Sequence, residues 1–438
     1  MNRRHFLATS GALVVSFSLP VLAQMGTLQR QGTLQRQPML DAWIRIGADG
    51  RITVFTGKAE LGQGLKTALL QIAAEQLAVA MSAIELVTAD TALTPNEGYT
   101  AGSNSMKDSG TAILHASAQV REILLAQAAQ RFGFSVDQLK AINGEVLAPD
   151  GRRIRYGALV EGQMLHVRAG AQSKLGRARI VMGKPIRRVD IPGKVTGAPS
   201  YVQDIRLPGM VHARVLRPPS YGATLKSVDI EAAAKMAGVI KVVRDGSFLG
   251  VIAAREWTAV QAMRGLRARA VWQESARLPK DIMAALLQLP AKDTVIAGEN
   301  ASLAQGARTI EASYSRPYQL HGSIGPSCAV ACYDEGALTI WTHSQGVYPL
   351  RGAIAELMGM APEKVHCIHA EGAGCYGHNG ADDVAADAAL LARALPGRPV
   401  RVQWMREDEH TWEPFGPAML SKARASLDAA GAVSGFEY

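Results

Sequence analysis

The chain has 438 residues, of which 48% are hydrophobic and 19% are charged, a balance that is typical of a folded protein and excludes a disordered one. The formal net charge is +9, but the broadest basic stretch, residues 174–188, has no interleaved aromatic residues, so nucleic-acid binding is not indicated. The four cysteines form no CxxC pair and fit neither a zinc site nor an iron–sulfur cluster, and we expect them to be buried free thiols.

Residues 1–24 have the pattern of a targeting segment. Two arginines, Arg3 and Arg4, precede a mostly apolar stretch over residues 12–22, and Val21-Leu22-Ala23 suits cleavage by signal peptidase. The apolar stretch is short and is broken by two serines and a proline, which disfavours a membrane anchor. The segment resembles a twin-arginine signal, so we expect export to the periplasm of a protein already folded around a cofactor.

The next predicted elements are a linker and a first folded region. Residues 25–40 contain a tandem GTLQRQ hexapeptide, which we interpret as a mobile linker without chemistry. Alternating apolar residues on either side of Asp49-Gly50 predict a β-hairpin. Helical periodicity follows from Leu65 onward and over residues 113–128, with a strand predicted at 84–88 between the two helices.

Beyond residue 180 the pattern changes to short strands mixed with helices. Residues 187–272 predict a compact α+β domain, and a connector with one helix follows. From residue 309, strands alternate with helices up to residues 435–438, which have the pattern of a strand. Because a domain rarely ends inside a core strand, we expect the chain to be truncated at its C-terminus.

Two loops contain residues suited to an anionic ligand. Gly57–Gly64 (GKAELGQG) leads into a helix, where close backbone approach and unpaired N–H groups would suit a phosphate; a tight turn is the alternative. Gly98–Ser105 (GYTAGSNS) is rich in small residues and hydroxyls that would suit phosphate or pterin contacts; a solvated loop is the alternative.

Two further features follow predicted strands. Gly372–Gly377 (GAGCYG) fits GxGxxG, which leaves a nucleotide-dependent dehydrogenase as an alternative function. Against it, His378-Asn379-Gly380 separates the turn from the next helix, and no acidic residue lies at the usual distance. Gln345 ends another strand, where its side-chain amide could donate to an oxo or pterin group.

The histidines and serines do not indicate a hydrolase or a protein-bound metal. The five histidines between residues 321 and 378 lack metal-ligand spacing such as HExxH, and we expect them to be structural. A GxSxG motif is absent, so a serine hydrolase triad has no anchor.

In their order, these segments resemble the molybdopterin-binding subunits of the xanthine oxidase (molybdenum hydroxylase) family. The resemblance is carried by GKAELGQG, TPNEGYTAGSNSMKDSG, RVDIPGKVTGAPSYVQDIRLPGM and THSQGVYPLRGAIAELMGMAPEKVHCIHAEGAGCYGHNGADD. In this chain the GQG segment lies before the third of these stretches. That order resembles the isoquinoline 1-oxidoreductase beta subunits and the related nicotinate and aldehyde dehydrogenases.

The resemblance implies an α+β fold in which molybdopterin-binding domains flank an α/β hammerhead domain. The implied divisions are a signal peptide (1–24), a linker (25–40), a molybdopterin-binding segment (41–180), the hammerhead domain (181–280), a connector (281–308) and an incomplete first molybdopterin-binding domain (309–438).

The resemblance also implies the chemistry. The cofactor would be molybdopterin, in its cytosine dinucleotide form, with the metal held by dithiolene sulfurs and by no protein ligand. The family oxidises aldehydes or N-heteroaromatic compounds with water as the oxygen source. Electrons leave through a small [2Fe–2S] subunit, and a cytochrome c is one candidate acceptor. The implied cofactor contacts are Leu61, Gly62, Gln63, Gly64, Gly102, Ser103, Ser105, Gln345, Gly374 and Cys375.

The chain departs from the family pattern at two places. The family's catalytic glutamate lies in a GEP-like motif near the end of a longer chain, and this sequence has no such motif, so no catalytic residue is assigned. Cys375 and Tyr376 stand where Phe and Gly are common, which changes the pocket. We therefore expect the chain to be inactive alone; the alternative is a non-catalytic remnant that binds the iron–sulfur subunit as a scaffold.

Overall fold

The computed structural model describes residues 32–160, 166–176, 179–275, 279–298, 308–379 and 384–438. The predicted targeting segment and the first copy of the hexapeptide lie outside these ranges. Within them, no helix combines the length and the apolar composition needed to cross a bilayer.

The first region folds around the predicted hairpin and two helices. Its elements are β1 (Ile44–Ile46), β2 (Ile52–Thr56), α1 (Leu65–Leu77), β3 (Ile84–Thr88), α2 (Thr111–Phe132), β4 (Lys140–Ile142), β5 (Glu145–Leu147), β6 (Arg153–Arg155) and α3 (Tyr156–Val160). Strand β2 pairs antiparallel with β1 and parallel with β3, and α1 makes the crossover between β2 and β3. The two long helices bury their apolar residues, including Leu69, Leu77 and Leu124, in one core with the hairpin.

The second copy of the hexapeptide is packed, contrary to the prediction of a mobile linker. Gly32–Gln35 forms a 3₁₀ turn in which Thr33 and Leu34 are buried. Leu34 belongs to the first core, and the Thr33 hydroxyl donates to the buried Glu97 carboxylate at 2.5 Å. The mostly polar composition of the repeat did not indicate this packing, because it depends on one leucine and one hydroxyl group.

Replacing Thr33 by valine tests this anchor. The substitution preserves shape but removes one donor from the buried Glu97 carboxylate, so we expect the free energy of unfolding to fall by about 1–3 kcal/mol in urea titration. Thr33→Ser retains the hydroxyl and is the control. Equal stability of the valine and serine variants would contradict the proposed anchor.

The second region supplies strands to a large sheet. Its elements are α4 (Ile191–Val195), β7 (Val211–Val215), β8 (Thr224–Ser227), α5 (Glu231–Ala234), β9 (Val239–Asp245), β10 (Phe248–Ala253), α6 (Glu256–Arg267), β11 (Val271–Gln273) and α7 (Ile282–Leu286). Helix α6 packs Met263 and Leu266 against the buried side of β10.

The third region completes that sheet. Its elements are β12 (Arg308–Arg316), β13 (Cys328–Asp334), β14 (Ala337–Thr342), α8 (Val347–Met358), β15 (Val365–His369), α9 (Val384–Ala394), β16 (Val400–Gln403), α10 (Arg406–Trp412), β17 (Met419–Leu427) and β18 (Val433–Glu437).

One seven-stranded sheet spans the second and third regions in the order β15-β14-β13-β16-β7-β10-β9. Strand β16 pairs parallel with β7, which joins the predicted hammerhead segment to the last region. Strands β14 and β15 are also parallel, so the residues that follow them lie at the same edge of the sheet. This edge carries Gln345 after β14 and Gly372 after β15.

A separate sheet, β12-β17-β18, is exposed and amphipathic. The strand register places one row of apolar residues on a single face, which we call the apolar face. It consists of Ile310, Ala312, Tyr314, Met419, Ala423, Ala425 and Phe436. The opposite face has ion pairs between Glu311 and Lys422 and between Arg424 and Glu437.

Candidate cofactor site

Gln345 and the Gly98–Ser105 loop are held together by reciprocal hydrogen bonds. The backbone N–H of Thr100 donates to the Gln345 carbonyl at 2.8 Å, and Gln345 Nε2 donates to the Thr100 carbonyl at 2.9 Å. A Cβ at Gly346 would lie 2.5 Å from Cδ1 of Tyr99, so the Tyr99 ring rests directly on the glycine backbone. Two segments that are distant in the sequence therefore form one wall.

The Gly57–Gly64 loop joins the same wall. The Ala59 N–H donates to the Thr100 hydroxyl at 2.8 Å. The buried Lys58 ammonium donates to the carbonyls of Glu97 and Tyr99, each at 2.9 Å, and lies 3.6 Å from Asp108. Lys58 thus fixes the start of the Gly98–Ser105 loop.

Glu60 occupies the amino end of α1, where the sequence suggested a phosphate. Its fully buried carboxylate accepts the N–H groups of Gly62, Gly64 and Lys66, each at 2.9 Å. These are the donors that an anion at a helix terminus would need. The helix end therefore already binds an internal anion, and the prediction of an external phosphate at these N–H groups is wrong.

The remaining predicted residues of the two loops are accessible. Gln63 is exposed, and its amide is bonded within its own loop, to Ala59 and Leu61. Gly102 and Ser103 are exposed and have positive φ angles of 64° and 57°. Ser105 is half-buried at the start of the one-turn π-helix Met106–Gly110. Their roles as cofactor contacts stay predictions.

The Gly372–Gly377 turn lies beside Gln345. A Cβ at Gly372 would lie 2.7 Å from Nδ1 of His343, so only glycine fits there without a shift. Gly374 has a φ of 110° and donates its N–H to the Gly372 carbonyl at 2.8 Å. Cys375 is buried. The structure therefore brings Gln345, Gly374 and Cys375 to one edge of the sheet, and their roles as cofactor contacts stay predictions.

A network of charged side chains, missed by sequence reasoning, ties the glycine loop to this turn. Glu371 binds Lys66 at 2.9 Å and Lys194 at 2.5 Å, and Lys194 also binds Asp190 at 2.7 Å. Arg188 pairs with Asp190 and donates to the Gly62 carbonyl at 2.6 Å. The hydrogen bond from Arg188 outweighs burial and holds the pKa of Asp190 far below its ordinary value.

His369 connects the glycine loop to the segment that contains Gln345. Its Nδ1 lies 3.0 Å from the Ser344 carbonyl oxygen and its Nε2 lies 3.0 Å from the Glu60 carbonyl oxygen. Burial lowers the pKa of His369, so the ring is neutral near neutral pH and donates to one of the two carbonyls. The residue before Gln345 is thereby fixed to the glycine loop.

Two buried amide oxygens at this edge suit a polar ligand. The Oε1 atom of Gln345 and the Oδ1 atom of Asn379 have no hydrogen-bond partner within the described ranges. Buried acceptors are normally satisfied, and a pterin ring offers N–H donors along its edge. These two acceptors, which lie beside the Gly372–Gly377 turn, fit a heterocycle that carries donors.

Comparison with known proteins decides the family. Two models, both described as a molybdopterin cofactor-binding domain, match residues 16–184 and 288–438. The chain belongs to the molybdopterin-binding subunits of the xanthine oxidase family. The predicted family and α+β fold class are confirmed. The molybdopterin match includes the GxGxxG turn, so the nucleotide-dependent dehydrogenase loses its main support.

Named relatives of this family cover most of the chain. A nicotinate dehydrogenase subunit of Pseudomonas putida is 38% identical over 91% of this chain and 35% of its own length. The beta subunit of isoquinoline 1-oxidoreductase of Brevundimonas diminuta is 25% identical over 98% of this chain and 62% of its own length. The aldehyde oxidoreductase structure from Desulfovibrio gigas aligns with a TM-score of 0.49 at 16% identity, covering 84% of this chain and 43% of that one. The chain thus spans less than two thirds of each of these relatives.

Proposed function

We propose that the chain is part of the large subunit of a molybdenum hydroxylase that oxidises an aldehyde or an N-heteroaromatic compound. The observation that carries the proposal is the meeting of Gln345, the Gly98–Ser105 loop and the Gly372–Gly377 turn at one sheet edge. The relatives named for nicotinate, isoquinoline and aldehyde oxidation supply the substrate classes.

The cofactor we propose is molybdopterin, as the cytosine dinucleotide. Gln345, Gly374 and Cys375 would hold the pterin near the reacting metal, and the accessible Gly102, Ser103 and Ser105 would contact the rest of the cofactor. Leu61, Gly62, Gln63 and Gly64 would contact it through groups other than the N–H donors that Glu60 already binds. When bound, the cofactor supplies the redox chemistry, with water as the oxygen source.

The residues of this chain position the cofactor. The Thr100 carbonyl fixes the Gln345 side chain by accepting a hydrogen bond from its Nε2, and the side-chain Oε1 remains in buried space. Glycine at position 372 lets the turn pack directly against the His343 ring, which sets the position of the turn beside Gln345. The ion pairs of Glu371 with Lys66 and Lys194 link the helix that follows the glycine loop to the segment that leads into the Gly372–Gly377 turn.

We propose that electrons leave through a separate small [2Fe–2S] subunit and pass to an acceptor such as a cytochrome c. The cysteines support this, because Cys328, Cys367 and Cys375 are buried and lie on different elements, so they are not arranged to ligate a cluster. The twin-arginine pattern of the leader supports loading in the cytoplasm and export to the periplasm.

We also propose that further polypeptide completes the site. The buried carboxylates near the cofactor edge are already engaged, Glu60 by α1 and Glu371 by two lysines, so neither is free to act as the base. The apolar face of the β12-β17-β18 sheet, with Tyr314 61% and Phe436 66% exposed, needs a covering surface. On this basis we expect the chain alone to be inactive.

The test is to purify the chain with its small subunit and measure molybdenum and released cytidine monophosphate. We expect Gln345→Ala to reduce retained molybdenum at least about fivefold, because it removes a buried contact without disturbing the core. Gln403→Ala, at the end of β16, is the matched control and should retain the metal.

The assay for activity is dye reduction with aldehydes, nicotinate and isoquinoline. Molybdenum without turnover by this chain and the small subunit is the expected result. Absence of molybdenum would overturn the cofactor proposal and favour a scaffold, whereas turnover would overturn the proposed need for further polypeptide.

A further inference from the structure

A buried cluster of one histidine and two glutamates lies directly behind the Gly372–Gly377 turn. Ligand atoms of His378, Glu409 and Glu413 lie within 4.8 Å of one another. His378 is 2% exposed, and both glutamates are fully buried. Burying two carboxylates side by side is costly unless a cation lies between them.

The geometry of His378 identifies that cation. Its Nδ1 lies 2.8 Å from the Cys375 carbonyl oxygen, and its Nε2 lies 3.2 Å from Oε1 of Glu409. A carbonyl oxygen and a carboxylate oxygen face the two ring nitrogens, and only the imidazolium form could donate to both. Unlike His369, whose ring lies between two carbonyls, His378 has an anionic neighbour, which favours the charged form of a ring that has almost no contact with solvent.

The two carboxylates are also arranged as anions. Glu409 accepts the N–H and the hydroxyl of Ser327, each at 2.9 Å. Burial raises the pKa of Glu409, but the hydrogen bonds from His378 and Ser327 outweigh it and bring the pKa below its ordinary value. Glu413 accepts the backbone N–H of His321, and the His321 ring lies 3.3 Å from it.

The backbone conformation of the turn at Tyr376 and Gly377 is not one that these residues favour by themselves. Tyr376 has a φ of 55°, which is uncommon for a residue with a side chain, and Gly377 follows at 109°. Tyr376 is also 60% exposed, so packing adds little. The bond from His378 to the Cys375 carbonyl therefore supplies much of what fixes this turn.

We propose that His378 is a positioning residue whose buried imidazolium, paired with Glu409 and close to Glu413, clamps the Cys375–Tyr376 turn against α10. That the turn faces a cofactor rests on the proposed function; the clamp itself does not. Among the described residues, the rings of His321 and His343 also face His378, at centroid distances of 5.3 and 6.4 Å.

The rate at which the Cys375 thiol is alkylated measures whether the clamp is intact. It is 5% exposed in the folded chain, so it should react slowly with iodoacetamide. Cys332 is half-buried and serves as the internal reference, while Cys328 and Cys367, whose thiol pKa burial raises to about 12, should stay unreactive. Peptide mass mapping separates the four sites.

We expect His378→Gln and Glu409→Gln each to raise the alkylation rate of Cys375 about tenfold or more relative to Cys332, because local opening becomes easier. The matched control is His366→Gln, which breaks a histidine–carboxylate pair with Asp90 far from the turn and should leave Cys375 protected. Continued protection of Cys375 in both folded Gln variants would overturn the clamp.

Two further measurements test the charge. His378→Arg places a permanent cation in the cluster, so labelling of Cys375 in this variant should stay closer to that of the native chain than in His378→Gln. Metal analysis of the same native protein should find no stoichiometric zinc or manganese. A bound divalent ion whose removal by a chelator exposes Cys375 would overturn the imidazolium assignment.

Discussion

Replacing Glu60 by alanine is expected to lower the free energy of unfolding by about 3 kcal/mol, one of the two largest effects predicted for this chain. The substitution removes the acceptor from three N–H groups at the start of α1 and leaves the Arg188 guanidinium, 3.7 Å away, without that charge. Because Glu60 is fully buried, water cannot take the place of its carboxylate at these N–H groups.

Urea denaturation measures this effect, and Glu60→Gln is the control. Glutamine retains one acceptor oxygen at nearly the same volume, so it should recover part of the loss. A Glu60→Ala variant within about 0.5 kcal/mol of the native chain would show that the cap contributes little and that the helix end is free for an external anion.

Replacing Glu371 by glutamine is the second large expected effect. The change leaves Lys66 and Lys194 without their shared carboxylate, and we expect the free energy of unfolding to fall by about 2 kcal/mol, since Lys66 is partly exposed and screened. Because Glu371 directly precedes Gly372, the loss should also loosen the cofactor edge and reduce the molybdenum retained by the purified complex.

Glu363→Gln is the matched control for this prediction, because Glu363 is exposed in the 3₁₀ turn before β15 and makes no ion pair within the described ranges. It should change neither stability nor molybdenum content. If Glu371→Gln were indistinguishable from Glu363→Gln in both measurements, the charged network would be a surface feature without a positioning role.

Local patterns predicted most of the elements. The hairpin around Asp49-Gly50, the helix over residues 113–128 and the strand over 84–88 are present, because turn residues and apolar periodicity act over a few positions. The order of the glycine loops was also sufficient to identify the family. These features depend on neighbours in the sequence.

What the sequence did not reveal depends on distant contacts. The parallel pairing of β16 with β7 joins residues about two hundred positions apart, and no periodicity encodes it. Glu60 resembled an ordinary loop residue until the structure placed it under α1. His378 was predicted to be merely structural, and its partners, Glu409 and Glu413, lie on and just after a helix predicted from no motif.

We propose that this chain holds a molybdenum pterin at the edge formed by Gln345 and the Gly372–Gly377 turn. This is tested by purifying the complex that contains this chain from the organism that makes it and measuring intact mass, molybdenum and released cytidine monophosphate together. We expect molybdenum and cytidine monophosphate in equal amounts, each matching the amount of chain. A correctly folded complex that contains neither would contradict it.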